Sequence, residues 1–264
     1  MTSSADQTIA ALRSGHDDLA ARVRAMRPDD LTGPSGAREW DVSQVVSHLG
    51  SGAEINLAAL DAAIAGTAAP DAGFNKSVWA RWDAMTPAER AESFLRADEK
   101  LVTRYESLDP EARANLRVDL GFLPQPVDIA ATAAFRLMEF ALHAWDVKVG
   151  TDPAATVAPE AVPVLLDQVG LLLRFAARPE ALGGRRAALA VDLTVPDRSL
   201  GLEFGDAVTL TDAPARPDGV LRAPAEAFVR LVTGRLAPEY TPATVTVTGG
   251  PVDLDDLRRV FPGF

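Results

Sequence analysis

Arg136-Leu-Met-Glu139-Phe-Ala-Leu-His143-Ala-Trp145-Asp146 is the stretch on which the reading of this chain turns. Glu139 and His143 stand four residues apart, so on a helix they project from one face and can reach a single ion together. Asp146, three residues further on, faces roughly the same way and can accept the N–H of a ligating imidazole. Pro126 before the stretch, and Gly150 and Pro153 after it, bound a helix that runs to about Val149. Taken alone, the E-x-x-x-H spacing reads most simply as a solvated pair or a satisfied core histidine. Arg136 then reads as the i,i+3 ion-pair partner of Glu139.

Working outward, the first half is helical. Residues from about Ala5 to Met26 set Ile9, Leu12, Leu19 and Val23 at helical spacings, and Pro28 stops them. A second helix opens at the capping residue Asp41 and runs through Val45, Leu49, Ile55 and Leu60 to Gly66, with Gly50-Ser51-Gly52 as an interruption. Residues 67–77, rich in Ala, Pro and Gly, read as a loop. Thr86-Pro87 opens a third helix, through Phe94, Leu101 and Tyr105. With the helix of the opening stretch these make a four-helix bundle.

The second half changes character. A helix from about Pro159 to Arg178 precedes β-like runs at Ala187–Val195, Leu200–Phe204, Ala207–Thr211 and Thr244–Thr248. Helices from about Pro224 to Thr233 and from Leu254 to Val260 complete a small α/β unit. The fold class is therefore α+β in two domains, 1–152 and 153–264, with the boundary near 150–158, where Gly150–Thr156 lacks a core pattern.

Composition narrows the function. The formal net charge of -11 argues against nucleic acid, whose phosphates need a concentrated basic surface. No secretory signal is legible at the N-terminus, and no apolar run reaches the ~18 residues of a membrane helix, so we expect a cytoplasmic protein without a membrane partner. Cysteine is absent. Thiol chemistry therefore needs a thiol carried by a ligand, and any metal site needs His, Asp and Glu.

The chain has three histidines, His16, His48 and His143. His16, between Gly15 and Asp17-Asp18, reads as surface-exposed. His48, in Val-Val-Ser-His48-Leu, sits beside Val45 and Leu49 on the buried side of its helix, and antiparallel packing could bring it opposite Glu139 and His143. Two imidazoles and one carboxylate form a known catalytic zinc set, with Fe(II), Mn and Ni as other occupants. Trp40, Trp79, Trp82 and Trp145 read as core or interface aromatics.

Two segments resemble a known family. Glu39-Trp40-Asp-Val42-Ser-Gln-Val-Val-Ser-His48-Leu49 is similar to the first metal-ligand motif of the mycothiol-dependent maleylpyruvate isomerase family, one of the DinB-like metal-binding four-helix bundles. Arg136-x-x-Glu139-x-x-x-His143-x-Trp145-Asp146 is similar to its second. The C-terminal Thr233-Gly-Arg235, Val245-x-Val247-x-Gly249 and Leu257–Phe264 resemble its small sterol-carrier-like domain, where relatives often carry Trp-Gly-Arg in place of Thr-Gly-Arg.

The resemblance implies that His48, Glu139 and His143 bind zinc or another divalent metal, with Asp146 and Arg136 behind them. It implies mycothiol as cofactor: its thiolate adds to the double bond of maleylpyruvate, the new single bond rotates, and expulsion of the thiol gives fumarylpyruvate. Arg235 is the first candidate for a catalytic contact to an anionic substrate, Arg81, between Trp79 and Trp82, the second. The leading expectation is a mycothiol-dependent isomerase, with mycothiol S-transfer to an electrophile as the alternative. A non-catalytic metal- or ligand-binding protein is the rival from another class, and a hydrolase using metal-bound hydroxide a third possibility. The expected partners are a small-molecule thiol and an anionic or electrophilic substrate, with the chain a monomer or small homo-oligomer.

Overall fold

The computed structural model describes residues 4–263 and divides the chain into two compact units, residues 1–155 and 156–264. The first is helical. Helix α1 (Ser4–Ala25) is followed by the short α2 (Pro28–Leu31), and α3 (Val42–Ala65) by α4 (Ala72–Asp83). Then come α5 (Pro87–Glu106), α6 (Pro110–Asn115), a two-stranded ribbon of β1 (Arg117–Val118) with β2 (Val127–Asp128), and α7 (Ile129–Val149). Helices α1, α3, α5 and α7 form the bundle, with α3 against α5 and α1 against α7.

Capping fixes where the long helices begin. Asp41 accepts from the Gln44 amide at 2.8 Å, and the Gln44 side chain accepts from the Asp41 amide at 2.9 Å, a reciprocal box at the start of α3. Thr86 and Glu89 do the same for α5, and Asp128 accepts from Ala131 N at the start of α7. Gly66, at φ 65°, ends α3 in the left-handed region that glycine adopts without strain.

Two expectations are corrected here. Gly50-Ser51-Gly52 does not interrupt α3, which runs through it. Gly50 is required because the six-membered ring of Trp82 lies against it, and any Cβ there would overlap the ring. The expected 67–77 loop ends at Asp71, which caps α4 by accepting from Phe74 N at 2.8 Å. Helix α4 is held by burial of Val78 and Trp82 against its neighbour α3, a tertiary gain that its weak Ala-Gly start gives no sign of.

The second unit opens with α8 (Val162–Ala176) and contains strands β3 (Ala187–Thr194), β4 (Arg198–Phe204), β5 (Val208–Thr211) and β6 (Gly219–Pro224). Helix α9 (Ala225–Val232), strand β7 (Thr246–Gly249) and helix α10 (Leu254–Val260) follow. The strand order is β5-β4-β3-β6-β7, with β3 and β6 parallel and every other pair antiparallel. Strand β6 has no counterpart in the sequence reading. It is short, and although Pro217-Asp218-Gly219 marks its start, it runs straight into α9 with no turn to close it. Alternate residues of β3, Ala187, Leu189, Val191 and Leu193, point into the core. The fold class is thus α+β, with a helical N-terminal unit and a smaller mixed C-terminal one.

Candidate metal centre

Helices α3 and α7 bring His48, Glu139 and His143 together. His48 Nε2 lies 3.4 Å from Glu139 Oε2, and His143 Nε2 lies 3.8 Å from the same oxygen. The two imidazole rings meet edge-on with centroids 4.7 Å apart. A tetrahedral ion with bonds of about 2.0–2.1 Å holds its donors roughly 3.3 Å apart. The three side chains therefore already stand near ligating separation, and the set of two imidazoles and one carboxylate fits a zinc-type ion.

Asp146 is wholly buried and its Oδ2 lies 2.8 Å from His143 Nδ1. An imidazole whose Nδ1–H is held this way presents the Nε2 lone pair outward, toward Glu139 and His48. The Asp146 backbone carbonyl also accepts from Gly36 N at 2.8 Å, and Gly36 packs so closely on Trp145 and the Asp146 carboxylate that a Cβ would crowd both. That contact fastens the 33–41 segment onto α7. The segment carries Trp40, whose ring stands 5.2 Å from that of His48 and 6.0 Å from that of His143. Surrounding protein alone would raise the Glu139 carboxyl. Contact with His48, then the charges of His143, His48 and Arg136, outweigh that and hold it below the ordinary carboxylate range.

Other expected residues lie elsewhere. Arg136 does not pair with Glu139. It turns inward, where Nη2 donates to Asp98 Oδ1 at 2.6 Å and to the Leu49 carbonyl at 3.0 Å, with the guanidinium 5.7 Å from the Phe140 ring centre. Arg136 is nearly fully buried, and a buried guanidinium requires a carboxylate that shares its desolvated site, which half-exposed Glu139 does not. His16 is likewise not at the surface. It is 2 % exposed, with Nδ1 2.8 Å from Asp98 Oδ2 and Nε2 2.9 Å from Glu99 Oε2. Its flanking Asp17-Asp18 misled the reading, because helix α1 turns His16 toward α5 and leaves the aspartates outside. Arg81 is ion-paired with Glu54, whose other oxygen accepts from Trp82 Nε1 at 3.0 Å. Arg235 lies in the second unit, in the turn after α9. Its amide donates to the Arg230 carbonyl at 2.7 Å and its Nη1 to the Thr233 carbonyl at 3.2 Å.

Of the tryptophans, Trp82 and Trp145 are core residues, and Trp145 Nε1 donates to the Ala155 carbonyl at 2.8 Å. Trp40 and Trp79 are not: at 37 % and 48 % exposed, they face an open cavity of about 360 Å3 whose wall includes His48, Trp82, Asp83 and Arg90. This cavity, with Arg90 on it, is what sequence reasoning missed. It forms where α4 and the start of α5 lean on α3, and no local pattern announces it. Among the described residues, no helix is long and apolar enough to cross a membrane.

The model of the mycothiol maleylpyruvate isomerase N-terminal domain family matches residues 12–148. Two solved structures align over 100% of both chains with a TM-score of 0.67, at 15% and 14% identity: the mycothiol-dependent maleylpyruvate isomerase and a histidine-to-alanine mutant of it. At that identity they establish likeness of fold. No curated protein sequence matches the chain.

Proposed function

Because this chain belongs to the mycothiol maleylpyruvate isomerase N-terminal domain family, we propose that it is a mycothiol-dependent, metal-dependent enzyme, and foremost a cis–trans isomerase of the maleylpyruvate type. The single observation that carries the reading is the convergence of His48 Nε2, Glu139 Oε2 and His143 Nε2 beside an open cavity.

In this reading His48, Glu139 and His143 hold one zinc-type ion. Such an ion, ligated by two neutral imidazoles and one carboxylate, supplies a residual positive charge that favours the thiolate form of an added thiol. Asp146 keeps His143 in the tautomer that directs Nε2 at the site. Trp40 flanks both imidazoles from one side. The chain contains no cysteine, so the thiol is brought in by mycothiol. Arg235 is proposed to contact a carboxylate of the substrate.

Incubation of the purified protein with mycothiol and maleylpyruvate, followed by mass spectrometry and chromatography of the products, tests the reading. The expected result is fumarylpyruvate with free thiol recovered, turnover abolished by His48→Ala, and bound metal lost in the same variant while its helical signal persists. A stable thiol conjugate would reassign the protein as an S-transferase. Metal binding without any thiol-dependent turnover would leave it a binding protein.

A further inference from the structure

The cavity beside His48 has one arginine on its wall and no lysine. Arg90, in the first turns of α5, is half-buried there. Its Nε donates to the Trp82 carbonyl at 3.4 Å, its Nη2 to the Asp83 carbonyl at 2.9 Å and its Nη1 to Ser43 Oγ at 3.3 Å. All three acceptors are neutral. Among the described residues no carboxylate lies within ion-pair distance of this guanidinium, whereas Arg81 has Glu54 and Arg136 has Asp98. In a chain with 37 acidic side chains against 26 basic ones, a wall arginine without an acidic partner is a charge left for something else.

A guanidinium has five N–H groups. Three are taken by those acceptors, which leaves one on each Nη, and two N–H groups on neighbouring nitrogens match the two oxygens of a carboxylate. The three existing bonds fix the fork before any ligand arrives, which lowers the ordering cost of binding. The exposed indoles of Trp40 and Trp79 offer flat apolar surface to the carbon skeleton of a small ligand, and the volume suits a molecule of that size. Asp83, the wall's one carboxylate, stands at this same end, since its own carbonyl accepts from Arg90 Nη2, so an anion seated there is held against that charge by the two remaining N–H groups.

We propose that Arg90 is the carboxylate-binding residue of this cavity, holding one carboxylate of a small unsaturated acid with its carbon chain against Trp40 and Trp79 and its far end toward His48. This deepens the proposed function and rests on it for the reaction, although the anion site itself does not depend on turnover.

Calorimetric titration of the protein as purified with maleate, a stable dicarboxylate, tests the proposal, with metal content measured in parallel. Hydrogen bonds to charged groups contribute about 1.5–3 kcal/mol, so Arg90→Gln should weaken maleate by roughly ten- to a hundredfold at unchanged metal content, with Arg90→Lys intermediate. Because Arg90 also holds the last carbonyls of α4, a ligand-side control needs no variant: dimethyl maleate, with no charge, should bind the wild type at least tenfold more weakly than maleate. Equal affinity for diester and dianion, no saturable maleate binding, or unchanged maleate affinity in a folded Arg90→Gln would each overturn the assignment. Arg90-dependent maleate binding without thiol-dependent turnover would support it while removing the isomerase reading.

Discussion

Arg136 on α7 and Asp98 on α5 form an ion pair of 2.6 Å between side chains that are both almost entirely buried. The same Arg136 nitrogen donates to the carbonyl of Leu49, the residue after His48. One guanidinium therefore ties three bundle helices together one turn from Glu139, and sets the separation of the helices that carry the two imidazoles. Asp98 also faces His16 Nδ1, so its two oxygens serve two different helices.

Removing one member of such a pair leaves a buried charge without compensation, at a cost of about 3–5 kcal/mol. Asp98→Ala should lower unfolding stability by that amount in urea titration, and Arg136→Met combined with Asp98→Leu should recover much of the loss. A change under about 1 kcal/mol in Asp98→Ala would show that the network is not what holds the bundle.

Asp146→Asn keeps the size of the side chain and removes the charge that fixes His143. Loss of such a supporting partner typically costs 10–100-fold in metal affinity. Competition with a chromophoric chelator should show a shift of that order, with the helix content unchanged.

Gly50 is enclosed by the Trp82 ring, and overpacking of this kind costs typically 1–3 kcal/mol. Gly50→Ala should lower stability by that much and push Trp82 outward, which narrows the neighbouring cavity. A blue- or red-shifted tryptophan emission together with weaker maleate binding is the expected signature; an unperturbed spectrum would contradict the packing described.

Arg13 donates to Glu99 and Glu106, and its hydrogen bond holds the Glu99 carboxyl down to about 2 from an ordinary value of 4.5. A carboxylate depressed in the folded state stabilises the fold above its unfolded value, and that contribution is lost as pH falls from about 4.5 through about 2. Glu99 is half-exposed, so solvent and salt screen the effect. Wild-type stability should fall with pH across this window at low salt, and Arg13→Gln should flatten that limb while changing little in 1 M salt.

The starts of α3 and α5 and the spacing of Glu139, His143 and Asp146 were legible in the sequence because both are local. A cap acts within three residues and a helical face repeats every three or four, so Asp41, Thr86 and the opening stretch announce themselves without any knowledge of the fold. His48, one of three histidines and set beside Val45 and Leu49 on its helix, was a candidate third member, and resemblance to the isomerase motifs lifted the set above its default readings. Partnership across helices was decided only in three dimensions. Whether Arg136 meets Glu139 or Asp98, whether His16 is wet or buried, and whether Arg90 finds an acid depend on which faces the packed helices present to one another. Periodicity specifies a face but not its neighbour; burial does, because an ionised group taken out of water must find a partner among the side chains that happen to share its site.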